Sequence, residues 1–233
     1  KNSGNENSRL LIKVSSAYKN YVNEDNTYTY DATKALYISV IDNNAYFFIK
    51  KSSKLSLWKT DGTTAGTVSV KKISNLWHTP DSMIAYQSNL FVMGRDVING
   101  LELWKSDGTV AGTGLLIDIN PGLGDSDGGE FFIHNSKLYF QANDGVHGME
   151  PWITDGTASG TIMIKDTNPV VSDYNYVSYN CISGSTMYYK GADDELWQTD
   201  GTQDGTFRTA NIQTDGFNVV RGSSPSYMID LNG

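Results

Sequence analysis

Cysteine is almost absent from this 233-residue chain, where Cys181 is the only one. That excludes an intrachain disulfide and a cysteine-rich metal site, and leaves the cellular compartment open. Histidine is nearly as scarce: His78, His134 and His147 are scattered through loops and strand ends without metal-ligand spacing. The four arginines, Arg9, Arg95, Arg208 and Arg221, fall at unlike places, so no guanidinium cluster can clamp a substrate carboxylate. No apolar run approaches the roughly 20 residues of a membrane-spanning helix. A Gly-x-Ser-x-Gly elbow, a phosphate loop, a dinucleotide fingerprint and an Asn-x-Ser/Thr sequon are missing as well. Sustained 3.6-residue periodicity is also lacking, which speaks against helices.

What is present is turn-forming and apolar in short pieces. Glycine numbers 23 against 5 prolines, and 39% of residues are apolar, enough for a core built from short strands and tight turns. The formal net charge of −8 opposes non-specific association with nucleic acid or an anionic membrane. Residues 1–8, KNSGNENS, read as a tail with neither an initiator Met nor the apolar core of a signal peptide, and the expected origin is a processed or internal start.

One ten-residue stretch occurs four times: WKTDGTTAGT from Trp58, WKSDGTVAGT from Trp104, WITDGTASGT from Trp152 and WQTDGTQDGT from Trp197. The Trp-to-Trp spacings of 46, 48 and 45 residues define a repeat architecture. Each copy resolves into four short extended segments, at 83–87, 90–94, 101–105 and 114–119 in the second and at 130–134, 137–142, 149–154 and 161–165 in the third. Turn residues separate the first two segments each time: Asn43-Asn44, Ser88-Asn89, Asn135-Ser136 and Gly184-Ser185. Four antiparallel strands recurring about every 46 residues predict an all-β fold, a β-propeller-type array of four-stranded antiparallel blades. The repeats are expected at 34–73, 82–119, 129–167 and 177–212. Residues 1–33 are expected as a tail, one strand at 9–14 and a long loop, and 213–233 as the start of a further repeat. All belong to one domain, and the pieces at the two ends do not complete a fifth blade, so the stretch is expected to belong to a longer array.

Each motif position has a structural reason. Trp58, Trp104, Trp152 and Trp197 sit at strand positions, where a large aromatic buries roughly 150–250 Å² between neighbouring blades. Asp61, Asp107, Asp155 and Asp200 can accept from the following backbone amides, and Gly62, Gly108, Gly156 and Gly201 supply positive φ. Thr63, Thr109, Thr157 and Thr202 can lock the same loop through their hydroxyls. The second glycine (Gly66, Gly112, Gly160, Gly205) releases the chain into the last strand. Scaffold groups recur and catalytic groups occur once, so these residues read as turn formers and no catalytic residue is nominated.

The stretches Glu102 to Thr109 (ELWKSDGT) and Glu195 to Thr202 (ELWQTDGT), with the lead-in LYFQANDGVHGME at 138–150, resemble the ELWxxDGT repeat family of secreted and surface-attached bacterial proteins, especially of the Bacteroidetes. Ser56 in place of Glu and Pro151 in place of Leu depart from the pattern without touching the turn. The resemblance covers about residues 35–212. It implies a propeller-like scaffold at the cell surface or outside the cell, exported often by the type IX route and associated with the bacterial outer membrane, and it implies no enzymatic activity. The turn is also similar to the Asp-box of sialidase-type propellers, where it is structural.

Three local features remain. Asp125, Asp127 and Glu130, in the run DSDGGE, could offer carboxylates to calcium without EF-hand spacing; a solvated acidic loop is the alternative. His147 lies in the lead-in loop at 144–148 and reads as part of a turn. Tyr174, Tyr176, Tyr179, Tyr188 and Tyr189 could include sugar-stacking rings, with core packing the simpler role. The function that follows is non-catalytic binding: a scaffold presenting loops to a protein or glycan partner, with no nucleic acid, no membrane insertion and no cofactor other than the calcium candidate. A lectin-like propeller is the first alternative. The loops at 75–82, 120–129, 168–176 and 213–225 differ in length and chemistry, which counts against identical sugar sites in each copy. A polysaccharide-acting enzyme is the second alternative, and only the acids at 125–130 would serve it.

Overall fold

The structure, a computed structural model, describes residues 20–22, 28–30, 34–51, 54–74, 83–167, 177–191, 193 and 195–210. Every element among the described residues is a strand. Asn20–Val22 (β1) and Tyr28–Tyr30 (β2) pair antiparallel. The first four-stranded sheet holds Lys34–Ile41 (β3), Asn44–Lys51 (β4), Lys54–Thr60 (β5) and Val68–Ser74 (β6). The second holds Met83–Tyr86 (β7), Asn89–Asp96 (β8), Gly100–Ser106 (β9) and Thr113–Ile117 (β10). The third holds Gly129–His134 (β11), Lys137–Asn143 (β12), Met149–Thr154 (β13) and Ile162–Met163 (β14). The fourth holds Ser178–Ser183 (β15), Thr186–Lys190 (β16), Leu196–Thr199 (β17) and Phe207–Ala210 (β18). Within each sheet the strands lie in chain order and pair antiparallel.

Four antiparallel sheets of four strands are what the repeat predicts, and several boundaries shift. The stretch 15–33, expected as a loop, contains the β1–β2 pair. NYV and YTY are built from good strand formers but are too short to show a period. The first two hairpin turns sit one residue earlier than expected, at Asp42-Asn43 and Gln87-Ser88, because Ile41 pairs with Asn44 and Tyr86 with Asn89. Asn89 instead opens β8, and its Nδ2 donates back to the Gln87 carbonyl at 2.7 Å. Gln87, Ser88, Asn135 and Ser136 all take positive φ, between 47° and 56°, the twist that two-residue hairpins need. The last strand of the third repeat, expected over 161–165, shrinks to Ile162–Met163. Pro151 brings no N–H to that part of the ladder, and the Ile164 N–H reaches the Pro151 carbonyl at 2.8 Å. The expected strand at 9–14, the further repeat at 213–233, and the loops at 75–82 and 168–176 lie outside the described residues.

The core lies between successive sheets. Side chains alternate across a strand, so a central strand covered on both faces needs apolar residues on both, as residues 90–93 of β8 and 138–140 of β12 supply. Tyr46, Phe48, Leu55 and Leu57 of the first sheet pack against Leu90, Val92 and Trp104 of the second. Phe91, Met93 and Leu103 leave the opposite face of the second sheet and meet Leu138, Phe140, Ala142 and Trp152 of the third. Tyr139 and Ile153 then meet Met187 of the fourth. Full burial of each such side chain contributes roughly 1.5–3 kcal/mol. The first strands follow one another along one edge, β3 beside β7, β7 beside β11 and β11 beside β15. All hairpins and motif turns therefore fall at one end of the sheets, and all lead-in loops at the other.

Candidate functional site

The repeated turn has the same wiring in all four copies. In the first, the Thr63 N–H and hydroxyl both donate to Asp61 Oδ1, at 2.9 and 2.7 Å, and the Gly66 N–H donates to the Thr63 hydroxyl at 2.9 Å. The Thr67 hydroxyl donates to the Thr63 carbonyl at 2.6 Å. Its single hydrogen is thereby used, so in the 2.7 Å contact with Thr60 the Thr60 hydroxyl is the donor, and Thr60 in turn accepts from the Gly62 N–H at 3.0 Å. The same bonds to the carboxylate recur at Asp107, Asp155 and Asp200. The hydroxyl relay recurs through Ser106 and Thr113, Thr154 and Thr161, and Thr199 and Thr206. Donation from the Thr hydroxyl, then from the Thr amide, holds each of these carboxyls below the ordinary aspartate value.

The two glycines answer to different demands. Gly62, Gly108, Gly156 and Gly201 have φ of 83–92°, where an L side chain is strained. A Cβ on Gly66, Gly112, Gly160 or Gly205 would overlap the Asp carboxylate of its own turn. The first glycine also seats the turn on the preceding sheet: a Cβ on Gly108 would overlap the Tyr46 hydroxyl, one on Gly156 would stand 3.4 Å from Phe91, and one on Gly201 would overlap the Tyr139 hydroxyl. Lysines latch the same seam. Lys105 Nζ donates to the Gly156 carbonyl at 2.9 Å, Lys137 Nζ to the Gly201 carbonyl at 3.5 Å, and Lys71 Nζ to the Thr113 carbonyl.

Trp104, Trp152 and Trp197 are buried, whereas Trp58 is half-buried. Gly94 and Gly191 lie against the Trp104 and Trp197 rings, where a Cβ would overlap them. The Trp152 Nε1–H donates to the Ala142 carbonyl at 3.1 Å and that of Trp197 to Asp193 Oδ1 at 2.8 Å; Trp104 Nε1 is buried with no partner among the described residues.

Sequence reasoning assigned no role to the glutamate two places before Trp104, Trp152 and Trp197, where the first copy has Ser56. Glu102 and Glu150 are completely buried. Glu102 accepts from the Ile119 and Asn120 amides at 2.8 and 3.2 Å, and Glu150 from the Thr167 amide and hydroxyl at 2.8 and 2.7 Å. Each carboxylate ties the central strand to the loop that leaves the sheet. Burial lifts the Glu102 carboxyl to about 7, against the pull of the Ile119 and Asn120 amides and the Ser126 hydroxyl, with Asp118 adding to the rise.

The calcium candidates are not gathered. Asp125 pairs with Arg95 and accepts from the Leu101 amide at 3.0 Å, while Asp127 and Glu130 stand on the surface with φ of 44° and 53°. Among the described residues, no three carboxylates, imidazoles or thiols converge on one point. The acids of this run belong to a loop held by Arg95, an arrangement a local count of carboxylates could not reveal. His147 closes its lead-in turn through Asp144, with Nδ1 2.7 Å from Oδ2, and that hydrogen bond raises its pKa. His134 Nε2 lies 3.1 Å from the Ser185 carbonyl of the next sheet. Tyr189 is in the core, Tyr188 is half-buried, and Tyr174 and Tyr176 lie outside the described residues.

The chain is thus an all-β repeat protein whose recurring polar residues are engaged within its own turns. No protein-family model matches it, and no curated protein matches it. Among solved structures it is similar to the computationally designed Ika8 protein, with a TM-score of 0.40 and 9% identity over 77% of this chain and 51% of that one. It is also similar to a puromycin-hydrolyzing peptidase of Mycobacterium tuberculosis, with a TM-score of 0.44 and 9% identity over 83% of this chain and 32% of that one. A third likeness is to the computationally designed Ika4 protein, with a TM-score of 0.36 and 9% identity over 71% and 90% of the two chains. The chain spans about half the length of Ika8 and about a third of the peptidase.

Proposed function

We propose that this chain is a non-catalytic binding scaffold of a bacterial surface or secreted protein, a propeller-type array whose sheets are successive blades and whose loops meet a protein or glycan partner. The resemblance of its four motif copies to the ELWxxDGT repeats motivates the family, the location and the export route. The observation that carries the binding reading is the division of labour between the two ends of the sheets. At one end, every copy repeats the same Asp-Gly-Thr turn with its acceptors engaged internally. At the other, the loops differ in length and chemistry from sheet to sheet, as expected where recognition has diversified. The first-strand edges that succeed one another from β3 to β15 support the blade arrangement. The test is a binding screen of the purified chain against bacterial-surface proteins and a glycan panel, run beside hydrolase assays. A reproducible ligand with no turnover supports the scaffold. A hydrolytic activity abolished by Asp125→Ala with Asp127→Ala would replace it with the enzyme reading.

A further inference from the structure

At the variable end, three loops of the second and third sheets adjoin one another. The lead-in turn of the second sheet is held by Asp96, whose Oδ1 accepts from the Ile98 and Asn99 amides at 2.8 and 2.7 Å. The lead-in turn of the third sheet is held the same way by Asp144, which accepts from the Val146 and His147 amides at 2.9 and 2.8 Å. Between them lies the loop 120–125, pinned by Asn120 Nδ2 donating to the Asp125 carbonyl at 3.0 Å. A Cβ on Gly100 would overlap the Gly124 carbonyl, and one on Gly145 would crowd the Asn120 amide. This loop therefore touches a lead-in turn on each side.

All three loops carry large aliphatic side chains outward. Val97 is 79% exposed, Ile98 70%, Leu123 75% and Val146 66%. Ile98 and Val146 occupy the same position in their turns, two residues after the anchoring aspartate. A single exposed aliphatic residue is ordinary, but four stand on three adjoining, internally braced loops, a concentration of the kind that marks an interaction site. Bracing also limits the ordering cost of binding.

The charge around the patch selects the partner. Arg95 and His147 pair with Asp125 and Asp144. The Asp96 and Asp118 carboxylates accept from uncharged amides, which leave their negative charge in place. With a net charge of −8 on the chain, an anionic bilayer or a second copy would be repelled by this rim. We infer that Val97, Ile98, Leu123 and Val146 form a docking surface for a protein segment that presents apolar side chains flanked by lysine or arginine. The inference rests on the scaffold reading and names its partner class.

The test uses a fluorescent peptide of alternating leucine and lysine, two control peptides with serine for leucine or glutamate for lysine, and phosphatidylcholine vesicles with and without phosphatidylserine. The expected result is binding of the leucine–lysine peptide alone, weakened by salt and weakened at least about tenfold in the variant Ile98→Ser, Leu123→Ser, Val146→Ser. A thermal melt checks that the variant folds; if it does not, Leu123→Ser alone is read in the same way. Absence of peptide binding, binding unchanged in the variant, or preference for the vesicles overturns the inference. A partner from the broader screen held equally by the variant also overturns it while leaving the scaffold standing. Wild-type protein that holds no ligand in either experiment removes both.

Discussion

The first glycine of the motif offers one substitution in four settings, which separates backbone strain from packing. Gly62→Ala, Gly108→Ala, Gly156→Ala and Gly201→Ala all force alanine to φ near 90°, a strain of about 1–2 kcal/mol. At Gly62 nothing described lies within 4 Å of the new Cβ, so strain is the whole effect. At Gly156 the Phe91 ring stands at 3.4 Å, an ordinary contact, and the cost should barely rise. At Gly108 and Gly201 the methyl meets the hydroxyl of a buried tyrosine of the preceding sheet, and overpacking adds a further ~1–3 kcal/mol. The predicted order of destabilisation is Gly62, then Gly156, then Gly108 and Gly201 together, read as urea midpoints at constant slope. Tyr46→Phe combined with Gly108→Ala should recover part of the loss, because it removes the atom nearest the new methyl, and the double-mutant cycle measures that coupling. Equal losses at Gly62 and Gly201 would refute the idea that the turn is seated on its neighbour.

Other consequences are as direct. Glu102→Ala should cost about 2–4 kcal/mol by orphaning the buried Ile119 amide and the half-buried Asn120 amide, while Glu102→Gln should cost much less, both measured by denaturant unfolding. Glu102 is raised from 4.5 to about 7, so its contribution is full below 4.5 and declines as pH rises through about 7, whereas the lowered motif aspartates contribute above their ordinary value and lose that contribution as pH falls through their folded values. Stability should therefore peak at mildly acidic pH, and Glu102→Gln should flatten the alkaline side of a midpoint-against-pH profile. Ser88→Gly should stabilise by about 0.5–1 kcal/mol in thermal melts by relieving positive φ in the Gln87-Ser88 turn. Trp152→Phe should cost about 1 kcal/mol more than Trp104→Phe, since only Trp152 loses an indole hydrogen bond.

The parts of the molecule that repeat locally were the parts legible in the letters. Asp107 and Thr109 close a turn two residues long, and their spacing alone implies the bond. The glutamate before Trp104, Trp152 and Trp197 also recurs, yet the partners of Glu102 and Glu150 lie 17 residues downstream, and a contact that spans a strand pair and a loop has no local signature. The latches were hidden for another reason. Lys71, Lys105 and Lys137 come from different positions of their repeats, so laying the copies over one another does not align them. The pairing of Asp125 in the acidic run is equally invisible locally, because its partner Arg95 lies 30 residues earlier. The reading of Ser88-Asn89 as the second turn falls one residue late because Gln87 does not favour positive φ; the pairing of Tyr86 with Asn89 imposes it.

The seat of each motif glycine on the ring before it bears on how such a protein can lengthen by inheritance. Tyr46, Phe91 and Tyr139 each receive the turn that follows, and the residues that receive and the residues that arrive belong to the same unit. A duplicated segment of coding sequence would thus carry both halves of the joint and could be spliced in beside its parent without a new contact having to evolve. Drift at a ring position would be checked by its successor in the array, whereas the outward aliphatic tips of the lead-in turns, such as Ile98 and Val146, would be free to diverge one copy at a time.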